Sequence, residues 1–372
     1  METKKKGLNI ILIFFLVAIC LSGPAWLIVR NFVDTENHEN RELAPFPEVS
    51  LQNYAGFSKG FDDYYNDHLQ FRSQLVTLNS LTDYFVFRRS PSDQVLIGRD
   101  GWLFYCAKED GDPISNYMGE NLCSDDELAY IASRVIEQRD ALAAKGIEFV
   151  IFIAPNRERV YPEYMPAAYG APAEEYTAKQ IIDYLKANTD IRVVYAYDDL
   201  MAARSTVDDN LYYKTDTHWN WLGGYVGTRS LMRELGHDIP ALDDPQYTIL
   251  SDGEPVSTMV DLMGLNGWIK VDDNNPRLEG VDENGVELKS FDYYRDTIES
   301  ESDADDKRKI FVLKDSFAYY MQPYTAAQFA ESVFVHKLYY SPELIDEYSP
   351  DIVVWEMVER YVRDNLASFD VY

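Results

Sequence analysis

The sequence predicts an α/β domain with a central, mostly parallel sheet, because strand-like and helix-like segments alternate along most of the chain. The clearest strand is the near-continuous apolar run at 147–154. Apolar runs of this kind are typical of strands that are buried on both faces of a parallel sheet. The other strands of the predicted sheet lie at 192–195, 310–313, 332–335 and 352–355. Right-handed crossovers between such strands place their following loops on one edge, where ligands bind in open α/β sheets.

The N-terminus predicts a membrane anchor within residues 1–30. Lysines at 4–6 precede a mainly apolar stretch at 8–29. At about 1.5 Å per residue this stretch can cross a hydrocarbon core of ~30 Å, and the lysines favour a cytoplasmic N-terminus. A cleaved signal peptide is the alternative, since 10–20 has the length of a signal core. Both interpretations export the rest of the chain. Because no convincing small-x-small cleavage site follows the apolar run, we expect an uncleaved single-pass anchor with an extracellular domain.

The remaining chain divides by composition. Residues 31–50 are polar with two prolines, which predicts an extracellular tether. Apolar and aromatic residues recur at helical spacing in 51–92, which predicts a helical lead-in. The main domain is expected to occupy 93–372 and to begin with a hairpin around the Gly-x-Asp-Gly turn at 98–101. The stretch at about 240–309 is rich in Asp, Asn, Gly and Pro, and is predicted to be an irregular insertion.

The charge of the chain limits its possible ligands. The chain has 34 basic and 63 acidic residues, giving a net charge of −29 at pH 7. No basic patch is dense enough to neutralise phosphates, so nucleic acid is not an expected partner. The same acidic excess repels strongly anionic polymers unless a local pocket compensates for it.

The cysteines leave two possibilities open. Cys20 lies in the apolar stretch, while Cys106 and Cys123 lie in the exported part, 17 positions apart. An oxidising compartment permits a disulfide between these two, worth about 3 kcal/mol by loop entropy. Two separate buried thiols are equally compatible with the sequence.

Three residues predict a nucleophilic triad. Asp216 and His218 are two positions apart, so in an extended segment they point to the same side. Ser316 follows the predicted strand at 310–313 and precedes a helical segment at 317–329. A serine becomes a good nucleophile when an imidazole accepts its proton and a carboxylate fixes the imidazole tautomer. The helix amides would also favour a developing oxyanion.

Other interpretations of these residues remain open. Asp315 and Ser316 can be an ordinary helix N-cap pair, and Asp216 can be a turn carboxylate beside a half-buried His218. Among the other histidines, His336 is the serious rival as the base, because it ends a predicted strand. Asp216 and His218 lack a third ligand at a recognisable spacing, so neither a metal site nor a cofactor is predicted.

Several sequence blocks then point to a known group of proteins. In chain order they are NRELA at 40–44, YNDH at 65–68, LIG at 96–98 with DGWLFY at 100–105, APN at 154–156, TDTHW at 215–219 with GGY at 223–225, and DIVVW at 351–355. Together these blocks resemble the DHHW family and alginate O-acetyltransferase-like proteins, which carry an SGNH-hydrolase-like domain. The resemblance spans roughly residues 38 to 365 and is weakest in the predicted insertion.

The resemblance implies a fold, site residues and a function. The implied fold is an SGNH-hydrolase-like three-layer sandwich, with Ser316 as nucleophile, His218 as base and Asp216 as its orienting carboxylate. The implied function is acetyl transfer onto an extracellular polysaccharide, with a multi-pass membrane acyltransferase delivering the acyl group. Two positions depart from the family pattern: Lys314 stands where glycine commonly precedes Asp-Ser, and Thr217 replaces the central histidine of DHHW.

We therefore expect a serine-dependent O-acyltransferase of the cell envelope. Arg157, after the 147–154 strand, is a candidate for holding the acceptor, and Trp219 and Tyr319 are candidates for stacking on sugar rings. Packing beneath the sheet edge is the alternative for the aromatic residues. Two other functions remain open. A carbohydrate esterase would use the same triad with water as acceptor, and a non-catalytic envelope protein would bind glycan or recruit a partner.

Overall fold

The computed structural model describes residues 43–48, 54–67, 72–271 and 275–372, together with Ile13 and Val17. The chain divides into two compact units. One unit contains the described residues up to Ser92 together with Val260–Ile269, and the other contains Asp93–Met259 and Lys270–Tyr372.

Most of the predicted membrane anchor lies outside the described residues, and only Ile13 and Val17 of that stretch are included. Within the described ranges, no helix combines the length and the apolar character that crossing a bilayer requires. Of the predicted tether, 43–48 is described.

Between residues 43 and 92, the described part of the first unit forms helices α1 (Tyr54–Asp67) and α2 (Arg72–Phe85). The chain before α1 packs on this helix through aromatic rings. Phe46 lies edge-on to Phe57 and Tyr64, with ring centroids 6.4 and 5.2 Å apart. Edge-to-face pairs at these distances are favourable because the positive ring edge meets the negative ring face.

The second unit contains the sheets and most of the described helices. Its helices are α3 (Pro113–Met118), α4 (Asp125–Ala143), α5 (Arg157–Val160), α6 (Thr177–Asn188), α7 (Tyr197–Ala203), α8 (Trp221–Leu235), α10 (Gln322–Ala326), α11 (Glu343–Tyr348) and α12 (Val362–Ser368), while α9 (Thr258–Leu262) has residues in both units. Short 3₁₀ turns lie at Pro162–Tyr164, Ala167–Tyr169, Phe317–Tyr320, Lys337–Tyr339 and Glu359–Tyr361.

The strands form one large sheet and two small ones in the part of the chain that is described. The small sheets are antiparallel pairs, β1 (Val95–Ile97) with β2 (Leu103–Tyr105), and β5 (Thr248–Gly253) with β6 (Asn275–Glu279). The large sheet contains β3 (Glu148–Ala154), β4 (Arg192–Tyr195), β7 (Glu287–Asp292), β8 (Thr297–Glu301), β9 (Lys309–Lys314), β10 (Glu331–His336) and β11 (Ile352–Val358). Their spatial order is β4-β3-β11-β9-β10-β8-β7. The first five strands of this order run parallel, and β8 and β7 are added antiparallel.

Both faces of the sheet are covered, as the apolar strands require. Successive residues of β3 point to opposite faces. Val150 and Phe152 pack into the apolar cluster that includes α8, and Ile151 and Ile153 pack into the cluster that includes α4, α6 and α12. The α/β fold with a mostly parallel central sheet, predicted from the sequence, is therefore confirmed.

Local signals explain where α4 begins and where the turn after it forms. Ser124 Oγ accepts from the backbone N–H of Glu127, and the Glu127 carboxylate accepts from the backbone N–H of Ser124, a reciprocal capping box. Beyond the other end, Gly146 has φ +79°, a conformation that other residues adopt only with strain. The chain then enters β3 directly.

The disulfide between Cys106 and Cys123, one of the two possibilities that the sequence left open, is not present. Both are free thiols. Cys106 Sγ lies 3.3 Å from Asp93 O, beside the hairpin, whereas Cys123 is buried in the cluster that includes α4. The two side chains thus belong to separate environments. Burial raises the pKa of the Cys106 thiol to about 11, so this thiol is protonated at neutral pH.

Candidate active site

Ser316 lies at the carboxyl end of β9, in a turn that presents it to solvent. Its side chain is exposed, whereas Lys314 and Asp315 before it are buried. The helical segment predicted at 317–329 is present as two short stretches, a 3₁₀ turn at Phe317–Tyr320 and then α10 (Gln322–Ala326). The backbone N–H of Phe317 donates to Asp315 Oδ1 at 2.8 Å. This amide is therefore already paired and does not supply the oxyanion donor that a longer helix would offer.

The structure brings Asp216, His218 and Ser316 together. His218 Nε2 lies 2.7 Å from Ser316 Oγ, although these residues are 98 positions apart. His218 Nδ1 lies 2.6 Å from Asp216 Oδ1. An ionised carboxylate only accepts hydrogen bonds, so the Nδ1–H of His218 donates to Asp216, and Nε2 accepts from the Ser316 hydroxyl. This arrangement is the one that a general base needs to activate a serine.

Asp216 is fully buried and is fixed through both carboxylate oxygens. Oδ1 also accepts from the backbone N–H of His218 at 3.0 Å, and Oδ2 accepts from the backbone N–H and the hydroxyl of Thr258, at 3.1 and 2.5 Å. Burial raises the pKa of Asp216, but its hydrogen bonds and the charge of His218 outweigh burial and hold the pKa below its ordinary value. Asp216 is therefore ionised at neutral pH.

Trp219 joins the two loops of the site. An isolated β-bridge between Tyr212 and Trp219 closes the loop that carries the base and its carboxylate. Trp219 is fully buried, so the prediction that it stacks on a sugar ring is wrong. Its indole N–H donates to Phe317 O at 2.9 Å, and the two rings pack edge-on with centroids 5.4 Å apart. Because Phe317 follows Ser316, this contact holds the base beside the nucleophile.

Two glycines of α8 permit the close packing behind these loops. A side chain at Gly223 would come within 2.3 Å of Leu211 O, and a side chain at Gly224 would come within 2.3 Å of Tyr320 O. The helix can therefore approach both loops only where it lacks side chains. Its first turn is capped by Asn220, whose side chain accepts from the N–H groups of Leu222 and Gly223.

Arg157 supports the site from inside the protein, which corrects its prediction as a group that holds the acceptor. Its side chain is buried, with 4% exposed. Nη1 donates to Tyr213 O at 2.8 Å and also to Asp216 O. The guanidinium lies over the ring of Phe104, 5.0 Å from the centroid. Arg157 therefore positions the loop that carries Asp216 and is not available to an acceptor.

Replacing Arg157 by methionine is expected to destabilise the fold by roughly 3 kcal/mol, because two buried carbonyls lose their charged donor. Denaturant unfolding measures this loss. The matched control is Arg233→Met, since Arg233 is 61% exposed where it pairs with Asp199. An exposed ion pair contributes about 1 kcal/mol or less. Equal losses in the two variants would contradict the role of Arg157.

A buried pair of carboxyl groups holds the nucleophile turn against β11. Asp315 Oδ2 accepts from Val358 N–H at 2.8 Å, and Glu356 Oε2 accepts from Asp315 N–H at 2.9 Å. Burial, and then the charge of Asp315, raise the pKa of Glu356 well above its ordinary value. Burial and repulsion by Asp315 thus both favour the protonated form of Glu356, which lets the two carboxyl groups lie together in the core.

His336, the rival candidate for the base, has different contacts. Its Nδ1 accepts from Leu338 N–H at 3.2 Å. Burial, and then the charge of Lys314, lower the pKa of His336. Lys314 itself is buried, with Nζ 2.8 Å from Asp296 Oδ2. The imidazole found within hydrogen-bond distance of the Ser316 hydroxyl belongs to His218.

Tyr319 is the predicted sugar-stacking residue that remains accessible. Its side chain is 51% exposed, three positions after Ser316. Its ring lies 5.6 Å from the ring of Trp221. Its role in binding an acceptor stays a prediction.

A second buried acid, Glu158, lies next to Arg157 in α5. Burial, and then the nearby Glu359, raise the pKa of Glu158 from 4.5 to about 7. Between these two pH values the folded protein holds a proton that the unfolded chain releases. The stabilisation is therefore fully present below pH 4.5, and it is lost as the pH rises through about 7.

We expect Glu158→Gln to remove this dependence. The wild type should lose roughly 3 kcal/mol of stability from this group between about pH 4.5 and pH 7, and the variant should not. Urea unfolding of both proteins at about pH 5 and about pH 8 measures the difference. Identical changes in the free energy of unfolding would show that Glu158 does not titrate in this range.

Two curated relatives are similar to this chain over much of its length. A probable alginate O-acetylase AlgJ of Pseudomonas putida is 25% identical over 301 residues, covering 74% of this chain and 72% of the relative. The protein of the same name from Pseudomonas syringae pv. tomato is 25% identical over 248 residues, covering 66% of this chain and 56% of the relative.

Solved structures show the same fold. A DHHW family protein from Eubacterium siraeum has a TM-score of 0.52 at 16% identity, covering 74% of this chain and 96% of that protein. Bacillus cereus PatB1 has a TM-score of 0.51 at 15% identity, covering 75% and 98%. A family model described as SGNH hydrolase-like domain, acetyltransferase AlgX, matches residues 95–290, more than half of the chain. The chain therefore belongs to this family of SGNH hydrolase-like acetyltransferase domains, as the sequence blocks predicted.

Proposed function

We propose that this protein is an O-acetyltransferase that modifies a cell-surface or secreted polysaccharide through an acetyl-serine intermediate on Ser316. One observation carries the proposal. An exposed serine hydroxyl lies 2.7 Å from His218 Nε2, and His218 Nδ1 lies 2.6 Å from the buried Asp216. Membership of the acetyltransferase family and the similarity to relatives named alginate O-acetylase support the acetyl group and a glycan acceptor.

In the first step, His218 accepts the Ser316 proton as Oγ attacks the carbonyl carbon of the acetyl donor. The bond between that carbon and the leaving group breaks, and His218 returns the proton to the leaving group. The donor departs, and an acetyl ester remains on Ser316. Asp216 stabilises the imidazolium that forms and holds the ring in position.

In the second step, a sugar hydroxyl takes the place of the leaving group. His218 accepts the proton of this hydroxyl as its oxygen attacks the acetyl carbonyl. The ester bond to Ser316 then breaks, and the proton passes from His218 to Ser316 Oγ. The products are an O-acetylated sugar and the free enzyme, so one histidine serves both steps.

We further propose that the apolar stretch at 8–29 anchors the protein and that the enzyme works outside the cell. The apolar stretch and the lysines before it support this arrangement. An extracellular enzyme without an acetyl donor of its own needs a supply across the membrane. A multi-pass membrane acyltransferase is the proposed source of the acetyl group.

A carbohydrate esterase is the second candidate. The exposure of Ser316 favours it, because water can then reach the acetyl-serine. Hydrolysis would use the same residues, with water in place of the sugar hydroxyl. Transfer predominates over hydrolysis only if the bound acceptor excludes water from the acetyl-serine.

A partition experiment tests the proposal. The full chain is incubated with a chromogenic acetyl ester, with and without a glycan hexasaccharide, and acetate and acetylated sugar are both measured. Transfer predicts that the acceptor diverts acetyl groups from acetate to sugar. Unchanged acetate release with no acetylated sugar would indicate an esterase, and no turnover of the ester would contradict both functions.

A further inference from the structure

A second surface lies beside the β7–β8 hairpin, whose turn is at the same edge of the sheet as Ser316. An open groove of about 850 Å³ is formed by the β7–β8 hairpin on one side and by the chain from Tyr339 to Tyr348 on the other. This volume is within the usual range of small-molecule sites. The groove does not include the triad and has no role in the two steps described above.

The groove is lined by exposed aromatic rings. Tyr293 and Tyr294, in the turn of the hairpin, are 78% and 85% exposed, and Tyr339 opposite them is 50% exposed. The rings of Tyr293 and Tyr294 are nearly perpendicular, with centroids 6.0 Å apart. Single exposed rings are ordinary on protein surfaces, but neighbouring exposed aromatic residues form the kind of patch that marks a binding surface.

Direct contacts connect the hairpin turn to the strand that carries the nucleophile. Asp296, the residue before β8, accepts from Lys314 Nζ at 2.8 Å, and its carbonyl accepts from His336 N–H at 3.3 Å. His336 and Lys314 are register partners on adjacent strands, and the His336 ring lies 6.3 Å from Tyr339. With a strand spacing of ~4.8 Å, β7 lies about 14 Å from β9 across the sheet. Groove residues Val335 and Leu344 pack on the sheet face opposite to Trp219 and Phe317. A polymer that reaches both places therefore passes over the turn at the sheet edge and must span more than this distance.

The charged side chains in the groove determine which kinds of polymer it can bind. Its lining includes the acids Asp292, Glu299 and Glu347, against one base, Arg295. Arg295 is already 3.8 Å from Asp292. Glu299 is bound by the hydroxyls of Ser290 and Tyr348, at 2.9 and 3.1 Å. The groove therefore has an acidic excess on a chain with a net charge of −29, which repels a polyanion.

We infer that the groove binds the acceptor glycan at sugar units away from the acetylation point, and that this glycan consists of neutral or amino sugars and not of uronic acids. The tyrosine rings pack on the apolar faces of the sugars, and the carboxylates accept hydrogen bonds from hydroxyl or ammonium groups. The inference rests on the proposed function for its acceptor role. The inferred acceptor glycan differs from alginate, the polyuronate in the names of the AlgJ relatives.

Binding to defined hexasaccharides tests the inference with the full chain. The probes are N-acetylglucosamine hexamer, glucosamine hexamer and mannuronate hexamer, measured by calorimetry at low salt. We expect binding of the first two and at least about tenfold weaker binding of the mannuronate probe. Binding of mannuronate as tight as that of either other probe would overturn the inference.

Variants locate the binding. Tyr293→Ala with Tyr294→Ala is expected to weaken binding about tenfold or more, because two anchoring rings are lost. The matched control is Tyr130→Ala, since Tyr130 is 54% exposed on α4 and lies outside the groove. Glu347→Lys should reduce the difference in affinity between the mannuronate hexamer and the other two hexamers, because it replaces an acid of the groove by a base. Unchanged binding in the double variant would overturn the inference.

The chromogenic ester separates this inference from the proposed function, because it reaches Ser316 without a glycan. The tyrosine double variant is expected to form acetyl-serine at the wild-type rate and to lose transfer to hexamers, while keeping transfer to a monosaccharide. If acetyl-serine forms but no hexamer binds, the glycan-binding role of the groove is refuted and the proposed function is not. Hexamer binding without any acetyl-serine would refute the proposed function, and with it the acceptor role of the groove.

Discussion

Replacing Ser316 by alanine is expected to lower acetyl transfer by about 10⁴-fold or more, the largest loss that any single substitution in this chain should cause. The hydroxyl is the atom that forms the acetyl ester, and alanine leaves His218 with no proton to accept. Transfer to a glycan and release of acetate should fall together, since both pass through the same ester. Steady-state rates with a chromogenic acetyl ester measure the loss.

The same substitution should leave the fold intact. Ser316 is exposed, and a surface substitution of this kind usually changes stability by less than about 0.5 kcal/mol. Ser133→Ala, at another exposed serine on α4, is the matched control and should retain full activity. Wild-type activity in Ser316→Ala would exclude the serine mechanism, because that mechanism requires the Ser316 hydroxyl as the nucleophile.

Replacing Asp216 by asparagine is expected to lower activity by about 10³-fold or more. An amide NH₂ at this position would donate to His218 Nδ1 and shift the ring proton to Nε2, the nitrogen that must accept from Ser316. The substitution also replaces the charge that stabilises the imidazolium. Rates of acetyl-serine formation, measured under single-turnover conditions, report this step directly.

Thr258→Val provides the matched control for Asp216→Asn. It removes the 2.5 Å hydrogen bond from the Thr258 hydroxyl but keeps the carboxylate and the backbone donor at 3.1 Å. We expect a loss of about tenfold, much smaller than that of Asp216→Asn. If both variants lost activity equally, the carboxylate would act through packing of the loop and not through the tautomer of His218.

Most of the central sheet could be predicted because its strands are buried on both faces. The apolar runs at 147–154 and 352–355 correspond to β3 and β11, and helix α8 begins after a cap and ends before Gly236. The hairpin β7–β8 was not predicted. Its strands, ELKSFD and TIESE, are largely polar and lie at the edge of the sheet, so they lack the apolar pattern of the interior strands.

The site residues could be predicted where chemistry restricts the residue type. An Asp-x-His segment and a serine after a strand are unusual enough to indicate where to look, and the sheet topology then brings their loops to one edge. The sequence could predict that Arg157 and Trp219 lie near the site. It could not predict that they are buried, because the depth of a loop residue depends on tertiary packing. Thr258 could not be found at all, since a hydroxyl and a backbone amide form no distinctive pattern in a polar segment.

Trapping the acetyl-enzyme tests the central claim most directly. The full chain is mixed with an acetyl ester, quenched in acid and digested, and the peptides are analysed by mass spectrometry. We predict one acetyl group on Ser316 in the wild type and none on this residue in Ser316→Ala or His218→Ala. An acetyl group on another residue, or an unmodified chain that still releases acetate, would contradict the account.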